Sequence, residues 1–224
     1  MSLLEFARGP ALWVAIAVCL VGSVWRVIGI FLMKSKPDLS EPRGRNRAAG
    51  ALSAIVGRML PKQEFMHGTA LVSLNAYVYH IGLAIVVFAY LPHVNFIKRL
   101  TGISWPVPPT WVFYVAVPLT LVSLLIAIIH RLTDPVRRLL SNFDDYFSWI
   151  VVFLPMLTGM AALGDVSSEI APGVPLYPVP VAVHLLSVEL LLIWLPFGKL
   201  AHTFLVFLSR GVTGAAFARK GAAT

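Results

Sequence analysis

The chain has 224 residues, 58% of them hydrophobic and 12% charged, and a formal net charge of +8, with a mean hydropathy of +0.82 and an isoelectric point of about 10.0. A soluble domain carries about a quarter charged residues, so this chain lacks the polar shell such a fold needs and reads as an integral membrane protein. No basic run outside the apolar stretches is interleaved with aromatics, so nucleic acid is not an expected partner; the positive excess reads as loop charge that sets orientation.

The opening stretch MSLLEFARGPALWVAIAVCLVG places Glu5 ahead of an apolar run that continues to about Met33, which predicts a retained first helix rather than a cleaved signal. The lone cysteine, Cys19, lies inside that run and leaves no disulfide pair, CxxC motif or thiolate metal site. Apolar runs of roughly 20 residues are long enough to cross a bilayer as helix. By that measure the sequence predicts five spans, at about 10–33, 69–91, 109–130, 146–163 and 178–208.

Between the first two spans, residues 34–67 carry Lys34, Lys36, Arg43, Arg45, Arg47, Arg58 and Lys62. Arg131, Arg137 and Arg138 follow the third span, and Arg210, Arg219 and Lys220 the fifth. The second span is followed only by Lys98 and Arg99, and residues 164–177 hold Asp165 and Glu169 without a cation. The positive-inside rule then places the N-terminus outside and the C-terminus in the cytoplasm. The Pro-rich SWPVPPTW and APGVPLYPVP stretches read as outer loops leading into the third and fifth helices. The expected architecture is all-α: a five-helix membrane bundle forming one domain over residues 1–224.

Histidines recur at two depths in these spans. His80 lies in the inner half of the second span and His202 near the inner end of the fifth, whereas His93 and His184 lie at outer ends. His184 and His202 are 18 residues apart, which on one continuous helix is five turns and about 27 Å, with both rings on one face. A lone intramembrane histidine is ordinarily satisfied by a neighbouring helix. Four of them, paired by depth on two helices, match instead the need of a bis-histidine haem for facing imidazoles. His80 and His202 would supply the inner pair; His184 would face His93 or Tyr90. Zinc normally needs four tightly grouped ligands, and no such group is visible in the sequence. The intramembrane Glu189 also admits a transport or proton-conducting reading.

The stretches YHIGLAIVVFAYLPH and HLLSVELLLIWLPFGKLAH, with the chain length, helix number and topology, resemble the gamma subunit of respiratory nitrate reductase, a five-helix dihaem cytochrome b. The resemblance implies that His80 and His202 ligate the haem nearer the cytoplasm and that His184 ligates the outer haem. Tyr90 stands where the family has the second outer ligand. His93 follows three residues later, about 60° further round an ideal helix, and Pro92 between them can alter that geometry. The resemblance also implies a quinone site near the outer haem, for which Lys98 and Arg99 are the matching candidates. It further implies haem b, in one or two copies, and an iron–sulfur subunit with a catalytic subunit docked on the cytoplasmic face. Relatives of this family include membrane cytochromes of heterodisulfide-reductase-like and sulfite-reduction complexes.

The expected function is therefore electron transfer between membrane quinone or quinol and a cytoplasmic-side iron–sulfur partner, in a bacterial or archaeal cytoplasmic (inner) membrane. The sequence holds no nucleophile constellation, phosphate loop or molybdenum-binding pattern, so no substrate chemistry of its own is expected. The alternative reading is a haem-free anchor or small transporter in which the histidines hydrogen-bond between helices.

Overall fold

A computed structural model describes residues 1–33, 39–44, 46–60, 64, 66–162 and 178–222. Ordered structure among them is helical, without strands. A short helix, α1 (Leu3–Phe6), is closed by a reciprocal cap: Glu5 N–H donates to the Ser2 hydroxyl at 3.2 Å, and Ser2 N–H donates to the Glu5 carboxylate at 2.7 Å. A π-helical turn over Ala7–Ala11 follows. Its Gly9, directly before Pro10, departs from helical geometry at φ −110° and ψ −105° and kinks the chain there. The chain then runs straight into α2 (Leu12–Leu32).

After α2 come α3 (Arg47–Gly57), α4 (Met66–Ala89), α5 (Leu91–Thr101), α6 (Trp111–Thr133), α7 (Pro135–Leu140), α8 (Phe143–Ala161), α9 (Pro178–Trp194) and α10 (His202–Arg219). Among the described residues four stretches are long and apolar enough to cross a membrane: Leu3–Leu32, His67–Ala89, Trp111–Thr133 and Lys199–Arg219. Helix α9 is apolar but only 17 residues long, and α8 carries Asp144 and Asp145 in its first turn. Large apolar side chains such as Trp13, Val21, Trp25, Leu71, Trp111 and Tyr114 lie exposed along these helices, an arrangement suited to lipid rather than water.

Three expectations need correction. The fifth span, 178–208, is not one helix: α9 stops at Trp194, residues 195–198 form a turn, and a single 3-10 turn at Lys199–Ala201 leads into α10. Pro196 supplies the cause, since it can neither donate to the helical ladder nor fit against the preceding turn. The 18-residue ruler between His184 and His202 therefore does not apply. Second, the loop expected over 34–67 contains α3, started by the Asn46 side chain, which accepts from Ala49 N–H at 2.9 Å. Third, the second span does not continue to residue 91: Tyr90 is extended, at φ −72° and ψ 127°, and α5 starts anew behind it with Pro92 in its first turn. The loop 164–177 and its two carboxylates lie outside the described residues.

The chain divides into two compact units, residues 1–18 with 71–194, and residues 19–70 with 195–224. In the first, α8 packs on α6 and α9, and α9 also packs on α1 and the π turn. Polar side chains tie these apolar helices together. Ser123 on α6 donates its hydroxyl to Asn75 on α4 at 2.8 Å, and the Asn75 amide donates to Ser123 O at 3.0 Å. Trp149 on α8 donates to Leu124 O at 2.8 Å, and Trp194 on α9 donates to Ser148 at 3.1 Å. Such interhelical bonds are worth roughly 0.6 to 2 kcal/mol each in a bilayer. Between α6 and α8, Arg131 pairs with Asp145 at 2.8 Å.

In the second unit α3 lies along α10. Gly50 and Ala54 on α3 meet Gly214 and Ala218 on α10 so closely that a Cβ on either glycine would overlap the facing backbone carbonyl. Small residues four apart on both helices permit this approach. Arg43 and Gly44 N–H groups both donate to Arg219 O, at 2.9 and 3.2 Å, fastening the segment before α3 to the end of α10.

Candidate functional site

The histidines that the structure brings together are His93 and His184. Helix α4 ends abruptly at Ala89, leaving the carbonyls of its last turn without helical donors. Two side chains return to that turn: His93 Nδ1 donates to Val86 O at 2.7 Å, and Trp105 Nε1 donates to Phe88 O at 2.6 Å. The break at Tyr90 thus turns His93 back against the end of α4. Its ring lies 6.1 Å, centroid to centroid, from that of His184 on α9, with the planes 17° apart. Tyr90 does not take that place; it stands edge-on to His93 at 5.4 Å and to Phe113 at 5.2 Å.

Helix α9 supports His184 from below and from α8. The Thr158 hydroxyl lies 3.3 Å from His184 Nδ1 and 2.9 Å from the Ser187 hydroxyl, and Ser187 reaches His184 O at 2.6 Å. Gly159 gives the ring its room: a Cβ there would stand 3.2 Å from His184 Cε1. A comparable close approach occurs between α4 and α6, where a Cβ on Gly82 would overlap the Thr120 hydroxyl. Thr158, Gly159 and Ser187 were not singled out from the sequence. Ser187 was legible in part, because a residue three after His184 shares its helical face, whereas Thr158 reaches the ring only through tertiary packing.

His80 sits exposed on α4, with Nδ1 2.7 Å from Ala76 O and its ring beside Tyr79. His202 opens α10, exposed, with Nδ1 2.8 Å from Lys199 O. A carbonyl oxygen only accepts, so in His80, His93 and His202 Nδ1 carries the proton and the neutral ring's lone pair falls on Nε2. That anchored tautomer is the one in which metal-ligating histidines are commonly held. Burial keeps the His93 imidazole below its usual pKa against the opposing effect of the Val86 bond, favouring the neutral form that ligation requires.

Among the described residues no three His, Cys, Asp or Glu side chains group as a metal site.

Lys98 and Arg99 are exposed in the last turn of α5, which ends where Gly102, at φ 77°, donates its N–H to Lys98 O at 2.8 Å. Cations at a helix C-terminus are favoured by the helix dipole, so their position has a local structural reason beside any ligand. Glu189 is buried on α9, and its Oε1 has no hydrogen-bond partner.

No family model matches the chain, and no solved structure matches it. The chain is similar over 98% of its length to a protein of Nitratidesulfovibrio vulgaris, at 26% identity and over 96% of that relative, whose name is simply "Protein".

Proposed function

We propose that the chain is the haem b subunit of a membrane oxidoreductase complex, passing electrons between a membrane quinone or quinol and an iron–sulfur subunit on the cytoplasmic side. The observation that carries this reading is the His93–His184 pair at 6.1 Å, with rings near parallel and His93 oriented by a backbone carbonyl. His93 and His184 would hold the outer haem, and His93 replaces the ligand that the nitrate reductase gamma resemblance leads one to expect at Tyr90. His80 and His202, which lie in different units of the chain, are proposed as ligands of an inner haem on the resemblance alone. Haem iron supplies one-electron exchange between its ferric and ferrous states. The chain's own part is to place each imidazole and to fix the rotation of His93 through its Nδ1 bond to Val86 O.

Lys98 and Arg99 are proposed to orient a quinone near the outer pair. The iron–sulfur subunit, with its catalytic subunit, is proposed to dock at the basic segment before α3 and the end of α10. The inner membrane of a bacterium or archaeon, with the N-terminus outside, is the proposed setting. A second reading has a specific observation in its favour: Thr158 and Ser187 already engage His184 in an interhelical cluster, as a haem-free anchor would require. The deciding measurement is a reduced-minus-oxidised optical spectrum of the purified protein with haem quantitation per chain. The cytochrome reading expects two haems, one of them lost in His184→Ala. A chain purified in its intact complex without haem refutes it and leaves the anchor.

A further inference from the structure

Helix α7 lies beyond the apolar stretch Trp111–Thr133, yet its Leu139, 85% exposed, and Leu140, 74% exposed, are among the most exposed large apolar side chains described. Within a span such exposure needs only lipid tails; here it falls between two spanning-direction helices, where the chain turns back from α6 to α8. At 100° per residue, Val136, Leu139 and Leu140 fall within about 100° of arc, and Arg137 and Arg138 fall on the opposite side. Both ends of α7 are tied: the Asp134 carboxylate accepts from Arg137 N–H at 2.9 Å, and the Ser141 hydroxyl donates to Arg137 O at 2.6 Å. Two aspartates answer two of the arginines at this end, Asp145 on Arg131 at 2.8 Å and Asp134 on Arg137 at 3.7 Å. Arg138 is exposed and, among the described residues, has no ion pair. Next to α7, Phe143 and Phe147 at the start of α8 stack at 5.3 Å, and both stand edge-on to Trp194 at the end of α9, at 6.3 and 4.6 Å. Tryptophan gathers where a bilayer meets water.

We propose that α7 is a lipid-binding foot. It lies in the plane of the membrane surface, with Val136, Leu139 and Leu140 among the upper acyl chains and Arg138 on the phosphate of an acidic phospholipid. Chain continuity carries this choice of occupant: one residue separates α6 from α7 and two separate α7 from α8, so α7 stays at the surface where α6 emerges. An apolar face opposite a cationic one is the pattern of helices that rest in that layer, and a guanidinium offers paired N–H donors to phosphate oxygens. Three apolar side chains supply only a small part of the roughly 800 Å² that each partner buries in a stable protein interface. Lipid bound there fixes how deeply α6 and α8 sit, whether or not the chain carries haem.

The test uses the full chain in lipid nanodiscs, with Cys19→Ser and one new cysteine, Leu139→Cys or separately Leu140→Cys, carrying an environment-sensitive fluorophore. The discs hold phosphatidylcholine with a fixed share of phosphatidylglycerol, and one lipid at a time carries brominated chains. Blue-shifted emission and protection from acrylamide are expected at both positions. Quenching by brominated phosphatidylglycerol should correspond to about fivefold enrichment over its bulk share, the preference that one arginine gives at an anionic surface, and should weaken at high salt. Arg138→Gln should return that enrichment toward the bulk share and leave acrylamide protection and the thermal unfolding midpoint unchanged. Fluorophores open to acrylamide at both positions overturn the proposal and leave the apolar face of α7 to a protein partner. Equal quenching by the two lipids, or an enrichment unaltered in Arg138→Gln, overturns the assignment of an acidic headgroup to Arg138.

Discussion

Tyr90 and His93 are three residues apart, and their roles separate by experiment. On the proposed cytochrome reading, His93→Ala should remove one haem per chain, whereas Tyr90→Phe should keep both, as read by pyridine haemochrome quantitation; the opposite pattern would return the ligand to Tyr90. At Gly82 two effects compete. Alanine gains up to about 1 kcal/mol over glycine in a helix interior, but its Cβ would overlap the Thr120 hydroxyl, and overpacking of this kind costs typically 1–3 kcal/mol. Gly82→Ala should therefore lower the thermal unfolding midpoint, and Gly82→Ala with Thr120→Ala should recover much of the loss. At Asp134, which caps α7, the Arg137 backbone N–H donates to the carboxylate and holds its pKa below the usual range. The cap's contribution is then fully present above the ordinary carboxylate pKa and is lost as pH falls through the lowered one. Amide exchange at Arg137 should accelerate relative to neighbouring α7 amides only below that point.

At the scale of elements, the contact of α3 with α10 depends on the absence of side chains at Gly50 and Gly214. Gly214→Leu should part the two helices. Spin labels at the exposed Leu52 and Val212 are expected to show a longer and broader distance distribution in the variant; an unchanged distribution would mean that the two helices meet elsewhere. The end of α4 is decided in the same physical terms. Its last carbonyls take donors from His93 and Trp105, so the ring that forms half of the candidate site also closes a helix. Hydropathy alone ran the second span through Tyr90, because Tyr90 and Leu91 are apolar enough to continue it and Pro92 is tolerated in a first turn. It likewise ran α9 into α10, since LLLIWLPFGKLA interrupts its apolar character only at Pro196, Gly198 and Lys199.

For the whole molecule, the basic residues concentrated at 34–67 and near the C-terminus lead to an expected topology with the N-terminus outside and the C-terminus in the cytoplasm. Membrane-impermeant labelling of intact cells should reach a cysteine placed at Ser2 and not one placed at Ala222; labelling of Ala222 alone would reverse the orientation, and labelling of both would mean an even number of crossings. The helical class and the apolar spans were legible from the sequence because both depend on local properties: residue hydropathy, run length, and the need of every backbone group in a bilayer to bond within its own helix. Of the four histidines that the sequence singles out, the structure brings His93 and His184 together and leaves His80 and His202 exposed. The choice of His93 over Tyr90 against His184, the support from Thr158, Gly159 and Ser187, and the break at Pro196 emerged only with tertiary structure. Each depends on how two helices approach or on how a chain end is satisfied, and no hydropathy window records the distance between residues far apart in sequence.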